Sequence, residues 1–292
     1  MSQRHASRSA FGYGKGYPTP SSWYTVENRR RYPLPHPSGA SVPEVSIVMP
    51  VLNEVAALPG IVRELRELAT LQDQIRIREI VFVDDGSNDG SREYLLKAAQ
   101  ETALPPEIRL CLRDRAEGTL SAEIAGFRAA RCPLVVKLDA DGQHPPSFIL
   151  DLVSRVSTTE SSLVVASRYL PGGGVDWERH RGVITRVARA MAHLILPPSR
   201  KLTDPLSGYF LASKSLVEDL PPRLDSYKLL LYIVASKRVE RVDEVPFGMT
   251  SRKTGESKIV GGNLSFVLNF GRELVAYMKV YYQRKSRAVP TY

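Results

Sequence analysis

Short apolar runs alternate along the chain with longer segments whose apolar residues recur every three or four positions. The short runs have the length of buried strands and lie at 45–49, 80–83, 108–112, 134–138, 163–166 and 242–247. The periodic segments between them predict helices, as in the stretch that carries Leu58, Ile61, Val62, Leu65 and Leu68. Strands that alternate with helices of this length favour right-handed βαβ units. The pattern therefore predicts an α/β fold with a mostly parallel, Rossmann-like sheet and helices on both faces.

The character of the sequence changes at two places. Residues 1–43 are rich in Gly, Pro, Ser and Arg and contain no apolar run, so we expect a basic, disordered N-terminal tail. The alternating pattern then continues from 44 to 262 without a linker signal, which predicts one domain. Residues 263–292 form the third part, an expected amphipathic C-terminal helix with a short tail.

The 292-residue chain has a formal net charge of +9, which favours anionic partners such as nucleotides, phospholipids or nucleic acid. The sequence has no RNA-binding aromatic motif, zinc-finger spacing or helix-turn-helix signature, so no nucleic acid is expected as a partner. No apolar run approaches the roughly 20 residues of a membrane span, and no secretory signal follows Met1. Cys111 and Cys132 lack metal-ligand spacing and are interpreted as small buried hydrophobes. The expected location is the cytosol or a membrane surface that faces it.

Two carboxylates one residue apart follow the apolar run at 134–136. Asp139 and Asp141 thus come at the carboxyl end of a predicted strand, where open α/β sheets bind their ligands. Mg²⁺ and Mn²⁺ take about six oxygen ligands, usually one or two from carboxylates and the rest from substrate phosphates and water. Gln143 can add an amide oxygen. The motif is consistent with a divalent cation that carries a diphosphate, although an isolated pair of this kind is also typical of an acidic turn.

Polar residues follow three other predicted strands in the same manner. They are Pro50, Leu52, Asn53 and Glu54 after the first strand, Asp84 and Asp85 after the second, and Arg168 after the run at 163–166. Carboxylates at this edge can accept hydrogen bonds from a ribose or a base, and an arginine can meet phosphate. Taken alone, each feature is weak evidence, and a solvated turn followed by a helix N-cap is the better explanation of DDGS. Their convergence on one edge of the sheet favours a nucleotide site.

In this order, the motifs resemble those of the family-2 glycosyltransferases of GT-A fold, and more closely the dolichyl-phosphate mannose synthases. The resemblance covers residues 45–270 and rests on PVLNE, VDDGSNDG, DADGQHPP, SRYLPGGG, DPLSGYF, SYKLLL and RKTGESKI followed by GGN. The combination of QHPP, D-x-x-S-G and R-x-x-G-E-S-K is more specific to this group than D-x-D alone.

The resemblance implies roles for individual residues. Those expected to line a guanosine pocket are Pro50, Leu52, Glu54, Phe82 and Asp84. Those expected to hold the diphosphate and the metal are Asp139, Ala140, Asp141 and Gln143, with Asp139, Asp141 and Gln143 as metal ligands. Arg168, Arg252 and Lys258 are expected to contact donor or acceptor phosphate. The residues expected to carry catalysis are Asp141, Arg252 and Lys258.

Three positions depart from the family pattern. Leu52 stands where an aromatic residue is usual, which removes a stacking or hydroxyl contact with the base. Tyr232 replaces a common acidic residue, and the segment after Glu117 keeps only part of the usual glycine pattern. None of the three departures changes a residue of the D-x-D-x-Q cluster.

The resemblance implies transfer of mannose from GDP-mannose to dolichyl or another polyprenyl phosphate, with Mg²⁺ or Mn²⁺ and with inversion at the anomeric carbon. A phosphate monoester is already largely dianionic at pH 7, so it needs cationic compensation rather than a strong general base. Arg168, Arg252, Lys253 and Lys258 can supply that charge.

A lipid acceptor implies a membrane surface. Two basic amphipathic segments, 183–196 and 263–282, are expected to bind it peripherally, although packing against the sheet explains each of them equally well. The expected place is the cytoplasmic face of the endoplasmic reticulum in a eukaryote or of the plasma membrane in a prokaryote. The resemblance also allows a small membrane-anchoring subunit. Two rival functions stay open: transfer of glucose or another sugar from a UDP donor, and a nonenzymatic nucleotide-sugar-binding subunit.

Overall fold

The computed structural model describes residues 42–101, 105–175, 179–221, 228–237, 239–249 and 264–287. The strands are β1 (Glu44–Val51), β2 (Arg76–Asp84), β3 (Glu107–Leu112), β4 (Leu134–Lys137), β5 (Leu163–Ser167), β6 (Gly174–Val175), β7 (Phe210–Ser213), β8 (Val242–Pro246) and β9 (Gly248–Met249). The helices are α1 (Leu58–Leu71), α2 (Ser91–Gln100), α3 (Thr119–Ala129), α4 (Ile149–Thr159), α5 (Arg179–Ile195), α6 (Leu229–Ser236) and α7 (Leu264–Arg287). The six strands predicted from apolar runs are confirmed. Almost all of the predicted N-terminal tail lies outside the described residues.

Among the described residues, seven strands form the main sheet, in the order β3-β2-β1-β4-β7-β5-β8. β7 runs antiparallel to β4 and β5, and the other neighbouring strands pair in parallel. The order in which the chain adds strands to the sheet reverses at β1: β2 pairs with one side of β1 and β4 with the other. Such a reversal leaves a crevice at the carboxyl ends of the strands. The mostly parallel sheet is confirmed, whereas the direction of β7 was not predicted.

Helices cover both faces of this sheet, as the sequence predicted. Successive residues of β1 point to opposite faces, so that Ile47 packs with α1 and α4 and Val48 with α3 and α6. The buried stripe of α1 is the one that its periodicity predicted, Leu58, Ile61, Val62, Leu65 and Leu68.

Helix α3 approaches the sheet closely at one glycine. A Cβ atom on Gly126 would lie 2.4 Å from Cγ1 of Val48, so a larger residue would push the helix away from β1. Glu123 lies one turn before this contact and reaches Lys137 at the end of β4. The glycine thus places an acidic side chain of α3 against the last residue of the central strand.

The last three helices share a separate apolar cluster. Ala188 and Ala192 of α5 pack with Leu231 of α6 and with Phe270 and Leu274 of α7. The C-terminal helix is therefore part of the packed domain along this contact. The predicted boundary at residue 262 falls in a segment outside the described residues and stays a prediction.

Two further features complete the fold. A short ribbon, which the sequence did not predict, pairs Gly174 of β6 with Gly248 of β9 and joins the segments that follow β5 and β8. None of the helices in the described ranges is long and apolar enough to cross a lipid bilayer.

Candidate active site

The first carboxylate of the D-x-D motif, Asp139, lies two residues beyond β4 and is held on both sides. Its Oδ1 is 2.6 Å from Nζ of Lys137, and its backbone N–H donates to Nδ1 of His144 at 2.9 Å. Burial opposes ionisation, but the Lys137 ammonium outweighs it and holds the pKa of Asp139 well below its usual range. The Asp139 side chain keeps 36% of its surface exposed. It is therefore an ionised acceptor that a ligand in the crevice can reach.

Lys137 was not predicted as a site residue. Its side chain is only 4% exposed and lies between two carboxylates, with Nζ 3.0 Å from Oε1 of Glu123 as well as close to Asp139. Burial would lower the pKa of Lys137, yet Asp139 and Glu123 raise it above its usual value. The one signal in the sequence was a lysine at the end of an apolar strand.

The second half of the motif forms a tight turn. Gly142 has a φ of 77°, a conformation that favours glycine. This turn brings the backbone N–H of Gln143 to 3.0 Å from Oδ1 of Asp141, and both residues are buried. The structure thus brings together the predicted diphosphate and metal residues Asp139, Ala140, Asp141 and Gln143 around one strand end.

Aromatic rings pack against His144, which follows this turn. His144 stacks on Tyr209 with ring centroids 4.8 Å apart, and Phe247 meets His144 edge-on at 5.9 Å. The Tyr209 hydroxyl donates to the carbonyl of Pro145 at 2.9 Å. Burial lowers the pKa of His144 to about 4, so the ring is neutral at pH 7 and Nδ1 accepts the Asp139 N–H. The QHPP segment therefore fixes the backbone of Asp139 through His144.

The loops after β1 and β2 are joined by hydrogen bonds. Asn53 has a φ of 54°; its N–H donates to Oγ of Ser87 and its Oδ1 accepts the N–H of Asn88, both at 2.9 Å. The N–H of Glu54 donates to Oγ of Ser91 at 2.9 Å. The PVLNE and DDGSNDGS motifs therefore act as one interlocked unit at the edge of the crevice.

The acidic pair after β2 also organises loops. Asp84 is fully buried and accepts the Arg92 Nε–H at 2.8 Å, while Asp85 accepts the backbone N–H groups of Glu117 and Gly118, both at 2.9 Å. Of the other predicted guanosine residues, Pro50 and Phe82 are buried, and Leu52 and Glu54, which follow β1, are half-buried. Their contact with a base stays a prediction. In this structure Asp84 accepts the backbone N–H of Ser87 and pairs with Arg92.

Arg168 forms a fork-shaped ion pair with the aspartate of the DPLSG motif. Its Nε and Nη2 donate to Oδ2 and Oδ1 of Asp204 at 2.6 and 2.8 Å. The neighbouring Gly208 lies against the first carboxylate: a Cβ there would be 3.1 Å from Nζ of Lys137 and 3.3 Å from Oδ2 of Asp139. The DPLSG motif thus holds Arg168 and closes over the D-x-D motif.

One further cation, also not predicted, belongs to this environment. Burial lowers the pKa of Lys228, and its ammonium interacts electrostatically with Lys137, Arg168 and Asp139. Arg252 and Lys258, predicted to contact phosphate, lie outside the described residues. The site that the structure describes is the carboxyl edge of the sheet at the chain reversal. It combines two neighbouring carboxylates with the buried Lys137 and the half-buried Arg168 and Lys228, which suits a metal-bound phosphate ligand.

Comparison with known proteins is consistent with this geometry. The family model for glycosyl transferase family 2 matches residues 46–220. A dolichol-phosphate mannosyltransferase of Pyrococcus furiosus is 35% identical over 223 residues, which are 75% of this chain and 60% of the relative. A dolichol-phosphate mannosyltransferase of Saccharomyces cerevisiae is 31% identical over 245 residues, which are 80% of this chain and 88% of the relative. The chain thus spans less than two thirds of the archaeal relative and most of the yeast one.

The fold is also found among solved structures. The glucosyl-3-phosphoglycerate synthase of Mycobacterium tuberculosis, in complex with Mn²⁺, UDP-glucose and phosphoglyceric acid, superposes with a TM-score of 0.58. The two proteins are 20% identical, and the match covers 83% of this chain and 84% of the other. At that identity the likeness shows a common fold. The predicted GT-A architecture is confirmed.

Proposed function

The chain belongs to glycosyl transferase family 2 and is an enzyme of that type, and from this premise we propose that it transfers mannose from GDP-mannose to dolichyl or another polyprenyl phosphate. The observation that carries the proposal is the ionised, ligand-accessible Asp139 beside Asp141 at the chain reversal of the sheet. The two dolichol-phosphate mannosyltransferases that align with most of this chain support the choice of sugar and acceptor.

The donor atoms at this place fit a hard divalent cation. Within the described ranges, no three His, Cys, Asp or Glu side chains gather into a metal site made by protein alone. A cation held by Asp139, Asp141 and Gln143 would need substrate oxygens to complete its shell, which is the usual situation of Mg²⁺ and Mn²⁺ at a diphosphate. When bound, such a cation neutralises the diphosphate and stabilises it as a leaving group.

The chain's own residues then have separate tasks. The interlocked loops after β1 and β2 offer Pro50, Leu52 and Glu54 as the rim of the nucleoside pocket, with Phe82 and Asp84 behind it. Lys137 holds Asp139 in its ionised form, and neutral His144 orients its backbone. No strong general base is required, because a phosphate monoester acceptor is already largely dianionic at pH 7.

The acceptor phosphate and the donor diphosphate repel each other, so cations must offset that repulsion. Arg252 and Lys258 are proposed to contact these phosphates, and Arg168 is proposed to contribute from its ion pair with Asp204. Replacing Arg252 or Lys258 by Ala should lower transfer by roughly 10-fold or more, the size of a lost charge-assisted hydrogen bond. Arg252→Lys should also be impaired, since a point charge cannot reproduce a guanidinium fork. Parental rates in these variants would remove the loop from the proposed site.

Peripheral membrane contact is proposed for α5 and α7. Helix α5 buries the small residues Ala188 and Ala192 and exposes larger ones, Val183, Val187 and Leu194. Exposed apolar residues of α7 are Leu268, Val275 and Tyr282. An apolar surface flanked by arginines such as Arg186 suits a lipid interface, which we place at the cytoplasmic face of the endoplasmic reticulum or plasma membrane. A small membrane subunit is a further proposed partner.

A transfer assay tests the function directly. Radiolabelled GDP-mannose and dolichyl phosphate, with Mg²⁺ or Mn²⁺, should give a labelled lipid product, and excess EDTA should abolish it. Full activity in EDTA would overturn the metal assignment, and no lipid product from any polyprenyl phosphate would overturn the function. For the membrane, Val187→Ser with Leu194→Ser should lower liposome binding even at high salt without lowering transfer to a short-chain acceptor in detergent.

One observation favours a second donor. Leu52 occupies the rim of the proposed nucleoside pocket in place of an aromatic residue, which makes the choice of base less constrained. The second candidate is therefore transfer of a sugar from a UDP donor to the same kind of lipid phosphate. Thermal shifts with GDP and with UDP, each with Mn²⁺, separate the two: the larger shift identifies the nucleotide.

A further inference from the structure

The last residue of β2, Asp84, lies where three strands end. In the register of the sheet it is paired with Val51, the last residue of β1, and with Leu112, the last residue of β3. Its side chain is fully buried, and each carboxylate oxygen accepts a protein donor: the backbone N–H of Ser87 at 3.2 Å on Oδ1, and the Nε–H of Arg92 at 2.8 Å on Oδ2. Asp84 therefore presents no exposed surface to a ligand in this structure.

Arg92, the partner of Asp84, is the member of this pair that solvent reaches. Its side chain is 26% exposed. Its Nη2 donates to the backbone carbonyl of Arg113, the residue that follows β3, so the guanidinium spans the ends of β2 and β3. Its Nη1 donates to no acceptor in the part of the chain that the structure describes. Two anchored contacts thus fix a cation that still has N–H donors to offer.

The position of Arg92 along its helix does not favour the helix itself. Arg92 is the second residue of α2. The amino end of a helix carries a partial positive charge, so a cation in the first turn is unfavourable there. The stabilising contacts of Arg92 come instead from the strand ends, through Asp84 and the carbonyl of Arg113. Helix formation alone therefore does not account for an arginine at this position.

The order of the strands places Arg92 at the nucleoside end of the proposed site. Asp139 follows β4, which pairs with β1 on the side opposite to β2. Neighbouring strands are about 4.8 Å apart, so β4 and β2 are separated by roughly 10 Å. A nucleotide whose diphosphate meets a cation at Asp139 would extend its nucleoside along this edge, towards β2 and β3. The guanidinium of Arg92 lies between the ends of those two strands.

We infer that Arg92 is a specificity-determining residue that donates a hydrogen bond from Nη1 to the carbonyl oxygen of the nucleobase, O6 in guanine, and that Asp84 is a positioning residue that acts through Arg92. The inference rests on the proposed function, which supplies a guanine nucleotide. Arginine and guanine O6 form one of the commonest specific contacts between a protein and a base. Adenine carries an amino donor at the same position and would meet Arg92 with like polarity. The side chain of Leu52 has no hydrogen-bonding group, so it cannot replace this contact.

A guanine analogue tests the contact at one atom. In 6-thio-GDP a sulfur, which accepts hydrogen bonds only weakly, replaces O6. The Kd values of GDP and 6-thio-GDP are measured by calorimetry with Mn²⁺, for the parent and for Arg92→Met. We expect the parent to bind 6-thio-GDP about fivefold or more weakly than GDP. Arg92→Met should bind GDP about 10-fold more weakly than the parent does, the size of one lost charge-assisted hydrogen bond, and its two Kd values should agree within about twofold.

The ratio of the two Kd values separates base recognition from a role in supporting the loop. If Arg92 only braces the strand ends, its loss weakens both nucleotides by the same factor and leaves the parental ratio, which would overturn the inference. A parent that binds the two nucleotides equally would overturn it as well. Arg92→Met leaves the buried Asp84 carboxylate without its cation, which can destabilise the protein. The same ratio is therefore also measured in the double variant Arg92→Met with Asp84→Asn, which removes both charges.

The matched control is Arg66→Met, at the other end of the same helix. Arg66 makes the same kinds of contact as Arg92: it donates to the carboxylate of Glu101 and to the backbone carbonyl of Ala98, in the last turn of α2. Both Kd values in Arg66→Met should stay within about twofold of the parent. A ratio that collapsed in this control as it does in Arg92→Met would show that the ratio reports the placement of α2, and the base contact would be overturned.

The positioning role of Asp84 has its own measurement. Asp84→Asn alone should lower the ratio towards one, because the guanidinium loses the carboxylate that orients it. In the double variant the ratio should be no lower than in Arg92→Met alone, since Asp84 acts through Arg92. An unchanged ratio in Asp84→Asn would overturn the positioning role.

The outcomes also separate this inference from the proposed function. A parent that makes the mannosyl lipid, with the parental ratio retained in Arg92→Met, keeps the function and loses the inference. A parent that makes no mannosyl lipid, with a ratio that collapses in Arg92→Met, loses the function and keeps the base contact.

Discussion

Each end of the sheet holds a carboxylate beside cations, but of Glu79 and Asp139 only Asp139 keeps exposed surface that a ligand can reach. At the amino ends, Glu79 is 1% exposed and each of its oxygens has two protein donors: Ser46 Oγ and Arg131 N on Oε1, Arg109 Nη1 and Arg131 Nε on Oε2. At the carboxyl ends, Asp139 takes Lys137 on one oxygen and keeps over a third of its surface exposed.

Glu79 and Asp139 differ in how many hydrogen bonds the protein donates to their carboxylate oxygens. Four donors around Glu79 replace the water that burial removes, so the amino end is a structural network. At the carboxyl end the cations Lys137, Lys228 and Arg168 act on Asp139, a carboxylate that keeps exposed surface. That arrangement suits an incoming phosphate and its cation. Burial and charge alone therefore do not distinguish a structural cluster from a functional one; accessible ligand atoms do.

The largest expected contrast is between Asp141→Asn and any substitution at the amino end. Removing this carboxylate charge should lower transfer by about 1000-fold or more if Asp141 is, as proposed, a ligand of the cation that neutralises the diphosphate. The melting temperature should change little. The measurements are the mannosyl-transfer assay and Mn²⁺-dependent GDP binding by calorimetry, with exposed Asp73→Asn as the control. Parental GDP affinity in Mn²⁺ would contradict the role of Asp141.

Glu79→Gln should show the opposite behaviour. The substitution weakens several charge-assisted hydrogen bonds and should cost about 2 kcal/mol of unfolding free energy, measured by urea denaturation. The kcat of the folded variant should stay within about twofold of the parent. A large loss of kcat with unchanged stability would mean that the two ends of the sheet are coupled in function.

Acid should act on the same network. Burial opposes ionisation of Glu79, but hydrogen bonds from Ser46, Arg109 and Arg131 lower its pKa from 4.5 to about 2. Between these two values the unfolded chain binds more protons, so this contribution to stability is complete above pH 4.5 and is lost as the pH falls towards 2. Urea denaturation between pH 5 and pH 3 should show a weaker pH dependence in Glu79→Gln than in the parent. Equal slopes would contradict the assignment.

The smallest expected effect tests the close contact at the carboxyl end. In Gly208→Ala the added Cβ lies 3.1 Å from Nζ of Lys137 and 3.3 Å from Oδ2 of Asp139, so those atoms must move by a few tenths of an ångström. We expect transfer to fall several-fold, because a catalytic geometry is sensitive to such shifts. Gly60→Ala is the control, since a Cβ there meets no atom within 4 Å. Parental activity in Gly208→Ala would show that the Lys137–Asp139 pair can adjust.

Much of the site could be predicted because its parts are local in sequence. The D-x-D-x-Q turn lies within five residues, and each loop that borders the crevice follows an apolar run whose length identifies a strand. Once the sheet is parallel, the ends of such strands must meet at one edge. The sequence therefore predicted that Asp139, Asp141 and Gln143 come together, and it predicted the α/β fold from the same local pattern.

The strands, the buried stripes of the helices and the motifs that follow the strands could all be predicted from the amino-acid sequence, since these depend on side-chain spacing within a few residues. Core packing settled which distant groups meet: Glu123 with Lys137, Arg168 with Asp204, and the backbone of Lys228 with Glu273 and Tyr277. These partners lie from 14 to 49 positions apart, on elements whose relative placement depends on core packing, such as the contact of Gly126 with Val48. Periodicity carries no information about such distant pairs, because it records which face of an element is buried and not what that face meets.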